Sequence, residues 1–181
     1  QGAGGLTMKV FWRSSKSGME ERLRTLSQFH QGFLVCFVET DGSVSIGVRH
    51  KRTGHIQLVP QIRFTSTDKA LLDYTFSLLG PLAKRWESIG QPDNPKRRRT
   101  MYTVELSGIG PVSAFLEVLG CCLIGRKERG DLVLRYCHLR MGNFHKPYST
   151  EEKELVVQIK NLNHKGGKYG GQYPWKGVLG D

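Results

Sequence analysis

The chain has 181 residues, room for one domain with a real hydrophobic core. Lys and Arg number 27 against 16 Asp and Glu, and the formal charge of +11 points to a polyanionic partner, nucleic acid above all. No apolar run approaches the length of a membrane span, so no membrane partner is expected. Residues 1–18, QGAGGLTMKVFWRSSKSG, are rich in Gly and Ser. They read as part of an N-terminal extension over 1–24: an expression remnant, a flexible arm, or the mature end of an imported precursor. Ser27 is placed to cap a helix that takes in the apolar run Phe33–Val38 and ends near Thr40, where Asp41-Gly42 breaks it.

From residue 43 the period changes to two. Val44, Ile46 and Val48 alternate with Ser43, Ser45, Gly47, Arg49 and Lys51. After the turn RTG at 52–54, Ile56, Leu58, Ile62 and Phe64 alternate with Gln57, Gln61 and Arg63, which makes a hairpin. Pro60 predicts an edge position or a bulge. A helix over 67–80 follows, capped by Thr67 or Asp68 and ended by Gly80-Pro81. Residues 82–90 and 100–108 read as two more strands around the polar loop QPDNPKRRR at 91–99. Helices are predicted over 110–120, 130–142 and 149–163, the last opening on the capping box Ser149 to Glu152. A Gly-rich tail over 166–181 completes the chain. The fold class is α+β: antiparallel strands with one greasy face under helices and one polar, basic face. A two-stranded ribbon fits the major groove of B-DNA, so that face is a credible reader of base edges.

The six histidines show no ligand spacing, and the four cysteines form no zinc pattern. Three of the cysteines lie in apolar stretches, where buried free thiols in a reducing compartment are expected. Trp86 reads as packing.

The stretch LVCFVETDG at 34–42 is an apolar helix followed by acid-x-acid-Gly and then a strand. It resembles the signature of the LAGLIDADG homing endonucleases, and the following order of hairpin, helix, hairpin, helix and basic loop extends the resemblance over roughly 25–163. The resemblance implies an αββαββα domain over 25–165, an antiparallel sheet saddle covered by helices. With a single motif, it implies the homodimeric branch. In that family the motif helix packs against its twin and presents a carboxylate to the DNA minor groove, where it holds a divalent metal. Asp41 matches the metal-binding position, with the Thr40 carbonyl as a further ligand. Glu39 is a helix-end contact. The interface is then expected at Leu34, Val35, Cys36, Val38 and Glu39, with Val35 bulkier than the small residues usual there.

The metal implied is Mg²⁺, with Ca²⁺ or Mn²⁺ substituting in binding. The partner implied is double-stranded DNA, cut at a long, near-palindromic site. The resemblance also implies a basic side chain from GRKERGD at 125–131 in the active site: Arg126 first, Lys127 second, with Ser66 to position water. Base readers are expected at Ser45, Arg49, Lys51, Gln57, Gln61, Arg63, Lys84, Arg85, Met101 and Thr103. Lys96, Arg97, Arg98 and Arg99 are expected to grip phosphates without reading sequence. The alternative is an intron-splicing maturase, or another binder of the same fold that does not cut. This branch is typical of organelles, so a chloroplast or mitochondrial setting is expected.

Overall fold

A computed structural model describes residues 3–50, 56–90 and 99–164. Within them lie six α-helices and four strands: α1 (Ala3–Thr25), α2 (Gln28–Thr40), β1 (Ser43–His50), β2 (Ile56–Ser66), α3 (Lys69–Leu79), β3 (Ala83–Ser88), β4 (Met101–Ser107), α4 (Ile109–Leu119), α5 (Lys127–Gly142) and α6 (Thr150–His164). The strands form one antiparallel sheet in the order β1-β2-β4-β3.

The local signals act as their chemistry requires. The Ser27 hydroxyl accepts the His30 N–H at 3.3 Å and caps α2. The Asp68 carboxylate does the same for α3, accepting from Leu71 N–H at 3.2 Å. Ser149 and Glu152 exchange the two bonds of a capping box, 3.2 and 2.7 Å. Glu152 is fully buried, and its charge is met by Arg140 at 3.3 Å. Tyr148, before α6, accepts the Leu58 N–H at 2.9 Å and so ties this corner to β2.

Register sets the two faces of the sheet. Val44, Ile46, Ile62, Phe64, Val104 and Leu106 share the apolar face and are buried. They lie under α4, which is apolar nearly all round and runs through the middle of the core, with Phe115 edge-on to Phe64. The apolar side of α2 joins the same core through Leu34, Phe37 and Val38.

Four expectations change here. The range 1–24, expected as an extension, is largely taken up by α1. Met19 and Leu23 are fully buried, Lys16 pairs with Glu117 of α4 at 2.7 Å, and Arg22 donates to the terminal carbonyls of α3 at Ser77 and Leu78. Pro60 is neither at an edge nor in a bulge. It sits opposite Ile46 on a central strand, and its carbonyl accepts the Gly108 N–H at 2.9 Å. In an antiparallel ladder a residue's N and O point to the same side. The missing Pro60 N–H therefore faces the point where β4 has ended and α4 begins, and no ladder bond is lost. α5 starts at Lys127, three residues earlier than predicted. Among the cysteines only Cys137 is buried, which raises its thiol pKa; Cys36, Cys121 and Cys122 are exposed.

Candidate active site and nucleic-acid interface

α2 lays one side on the core, through Leu34, Phe37 and Val38, and ends at the surface. The Asp41 and Gly42 N–H groups both donate to the Phe37 carbonyl, at 3.1 and 2.8 Å, and this closes the helix. Asp41 is exposed, and among the described residues its carboxylate has no hydrogen-bond or ion-pair partner. Glu39 has several. Its carboxylate accepts the N–H groups of Ile124, Gly125 and Arg126 at 3.0, 3.0 and 3.2 Å. These residues lead into α5, whose N-cap is Arg126, so Glu39 fixes the entry to a helix from 85 residues away. The Arg126 side chain returns the contact, approaching the Glu39 carbonyl at 3.3 Å and the Thr40 carbonyl at 3.4 Å. A guanidinium is thereby held one residue from Asp41.

More positive charge gathers around this corner. Burial, then the charge of Arg126, holds Arg129 below the usual guanidinium range. Beside Arg63 on the polar sheet face, burial and then the Arg63 charge hold the Lys160 ammonium below its usual range. Lys127 is paired with Asp131 at 3.0 Å, one turn along α5. Of the two basic candidates it is Arg126 that lies against the end of α2.

One exposed carboxylate and a carbonyl are hard oxygen donors, right in kind for Mg²⁺ but too few to hold it alone. No group of three or more His, Cys, Asp or Glu among the described residues has metal-binding geometry. The donor set fits a cation only if a second carboxylate and substrate oxygens complete it.

The polar sheet face carries Ser45, Arg49, Gln57, Gln61, Arg63, Lys84, Met101 and Thr103 together, as register requires. Arg85 is not among them. It lies opposite Val104 on the helix-covered side, pairs with Asp73 at 3.1 Å and stacks on Phe76. Adjacent strand residues cannot share a face, and Lys84 takes the polar one. Ser66 is likewise on the helix side, where its hydroxyl accepts the Asp68 N–H at 3.1 Å in the turn to α3. Lys51, Lys96, Arg97 and Arg98 lie outside the described residues; Arg99 is exposed.

The expected interface also divides. Leu34 and Val38 are fully buried in the chain's own core, and Glu39 is spent on α5. The outward stripe of α2 is Phe29, Gly32, Cys36 and Thr40, flanked by half-buried Val35. Ile124, 89% exposed, stands beside it because its N–H is bound to Glu39.

Two features escaped sequence reasoning. Trp86 is exposed on the polar face, where Arg63 sits over its ring at 5.9 Å. Glu105, on the same face, is only 2% exposed and binds two arginines. The alternation of β4 marked Glu105 as outward, but nothing local marked its partners.

Because Glu39 holds both the start of α5 and Arg126, Glu39→Gln is expected to lower stability by about 2 kcal/mol, the scale of charge-assisted hydrogen bonds. Thermal unfolding against the parent protein checks this. An unchanged midpoint would show that these bonds contribute nothing.

No protein-family model matches the chain, and no curated protein matches it in sequence. Solved structures match in fold. The archaeal intron-encoded homing endonuclease I-Vdi141I, complexed with DNA, superposes with a TM-score of 0.63 at 19% identity, over 83% of this chain and 92% of that one. The homing endonuclease I-CvuI, in complex with its target, gives 0.57 at 18% identity, over 78% and 88%. The LAGLIDADG homing endonuclease I-SmaMI, bound to cleaved DNA, gives 0.52 at 18% identity over 72% of this chain, but only 42% of its own. The chain has the fold of the LAGLIDADG homing endonucleases.

Proposed function

We propose that the chain is one half of a site-specific endonuclease that cuts both strands of a long, near-palindromic DNA target. One observation carries this reading. Asp41 is an unpartnered carboxylate at the exposed end of an apolar helix whose inner side is buried, beside a held guanidinium, in a chain of charge +11. Such an acid repels phosphate unless a cation reverses the sign. Two Asp41 carboxylates, waters and a phosphate oxygen make the donor set that Mg²⁺ accepts. The I-CvuI complexes formed in 2 mM Ca and in 2 mM Mg, the latter with uncleaved DNA, favour a divalent ion as well.

Asp41 and the Thr40 carbonyl would hold the ion, which would supply Lewis-acid polarisation of the phosphate and a more acidic water. The chain's own residues do the rest. Arg126, fixed by Glu39, stabilises charge on the phosphate as it is attacked. The polar sheet face sets the register on the duplex. A maturase or another binder of this fold has no need of an unpartnered acid at that helix end.

The outward stripe of α2 is the surface for the second copy. Gly32, Cys36 and Thr40 are compact enough for two backbones to approach, and Phe29 and Ile124 add exposed apolar area at its ends. The longer I-SmaMI chain leaves room for two such units, of which this chain matches less than half. Sedimentation at micromolar concentration should show twice the chain mass, and a strict monomer both free and on DNA would refute the assembly.

Activity is tested on a library of long randomised duplexes. Cutting of a selected subset in Mg²⁺, and of none in chelator, is the expected result. Enrichment of sequences without any cutting would favour the binder.

A further inference from the structure

We infer that Glu105 makes the polar face selective, by holding Arg49 and Arg63 as readers of guanine edges and weakening their pull on phosphate. The inference rests on the proposed DNA-cutting function and names the residue that sets its specificity.

Glu105 sits in the middle of the central strand β4, 2% exposed. Burying a carboxylate is costly unless both oxygens are matched, and a well-packed apolar residue is often as stable. Nothing in the core needs this one. Its neighbours Val104 and Leu106 complete the apolar face on the opposite side of the sheet. Both Glu105 oxygens are directed to arginines instead: Oε2 takes Arg63 Nε at 2.7 Å and Oε1 takes an Arg49 Nη at 3.3 Å.

Arg63 is fixed further by donating to Gln61 Oε1 at 3.0 Å, and Gln61 in turn donates to Ser45 Oγ at 3.1 Å. Each side chain of the row is oriented by the next, as a polar reader must be before DNA arrives. Both arginine side chains keep more than two-fifths of their surface exposed. A guanidinium has five N–H donors, and these contacts leave several for a base edge.

The carboxylate affects the two classes of acceptor differently. Two arginines and one Glu carry a net single positive charge, and the buried anion repels a phosphate placed on the same guanidiniums. The O6 and N7 acceptors of guanine are neutral and lose little by it. Glu105 therefore lowers affinity for any DNA and raises the difference between right and wrong bases.

Two variants read these effects separately, by sequencing duplexes bound from a randomised library and by measuring affinity for one arbitrary duplex against salt. Glu105→Gln removes the charge at constant size. Preference at the base pairs read by Arg49 and Arg63 should fall about tenfold. Affinity for the arbitrary duplex should rise, with a salt slope steeper by about 1. Glu105→Asp keeps the charge but shortens the reach, so preference should fall with the slope unchanged. Wild-type preference retained in both variants would overturn the inference while leaving the endonuclease reading intact. So would a loss of affinity equal for all sequences, or a failure of both variants to fold, which would make Glu105 a residue of the fold alone. If the unaltered protein neither selects nor cuts any sequence, the endonuclease reading and this inference fall together.

Discussion

Asp41→Asn is expected to abolish strand cutting while leaving the fold and DNA binding in place. Asp41 is exposed, and its backbone, at φ −110 and ψ −2, is one that Asn adopts without strain. Its side chain supports nothing else among the described residues, so the change removes one thing, a negative charge. A hard cation needs that charge. Changes to groups that merely support a metal ligand commonly cost 10–100-fold, so the loss here should exceed about 100-fold. Without metal, binding should tighten slightly because one repulsion with phosphate is gone. Glu39→Gln provides the contrast. It should destabilise the protein through α5 and slow cutting through Arg126, but not stop it. Equal losses at 39 and 41, measured as cleavage rates in Mg²⁺ at saturating protein, would reject the division of roles.

Gly42→Ala is expected to be among the most damaging single changes to stability. The Gly42 φ is not positive, so the usual conformational reason for glycine after Asp does not apply. The reason is space. A Cβ there would lie 2.6 Å from the Val38 Cα, 3.0 Å from the Arg63 carbonyl oxygen and 3.1 Å from that of Phe37. All three are backbone atoms and none can swing aside. Overpacking of this kind costs about 3 kcal/mol. In a chain of this length that corresponds to a fall in Tm of about 6–12 °C. The same residue joins α2 to β1 and places Asp41, and a displacement of 1 Å can cost about 100-fold in rate. Thermal melting together with cleavage by the surviving folded fraction reads both effects. A variant that melts with the parent would mean the junction is looser than these distances allow.

What was legible in the sequence was local. Ser27, Asp68 and the Ser149–Glu152 box announce helix starts within four residues, and the alternation of 43–48 and 56–64 announces a hairpin. The end of α2 at Asp41 was legible through the Asp41-Gly42 break. What was hidden depends on partners distant in the chain. α1 contains poor helix formers at its Gly- and Ser-rich start, and its second half is held by burial of Met19 and Leu23 against α4. The first turn of α5 reads as a charged loop, because the carboxylate that fixes the residues leading into it is Glu39. Leu34 and Val38 belong to the motif yet face inward, and only the packed helix shows which side of α2 is left for a second copy. Glu105 looks like one more outward residue of a strand until β1 and β2 bring Arg49 and Arg63 to it.

On the proposed reading, the end of α2 holds a metal at the DNA. Ferrous ion in place of Mg²⁺, with ascorbate and peroxide, cuts whatever polypeptide and DNA lie beside the bound metal. In the complex of the protein with its selected duplex, peptide scission is expected at 39–42 and 124–126, DNA scission at the centre of the site, and loss of both in Asp41→Asn. Scission of the polypeptide elsewhere, or an unchanged pattern in Asp41→Asn, would contradict it.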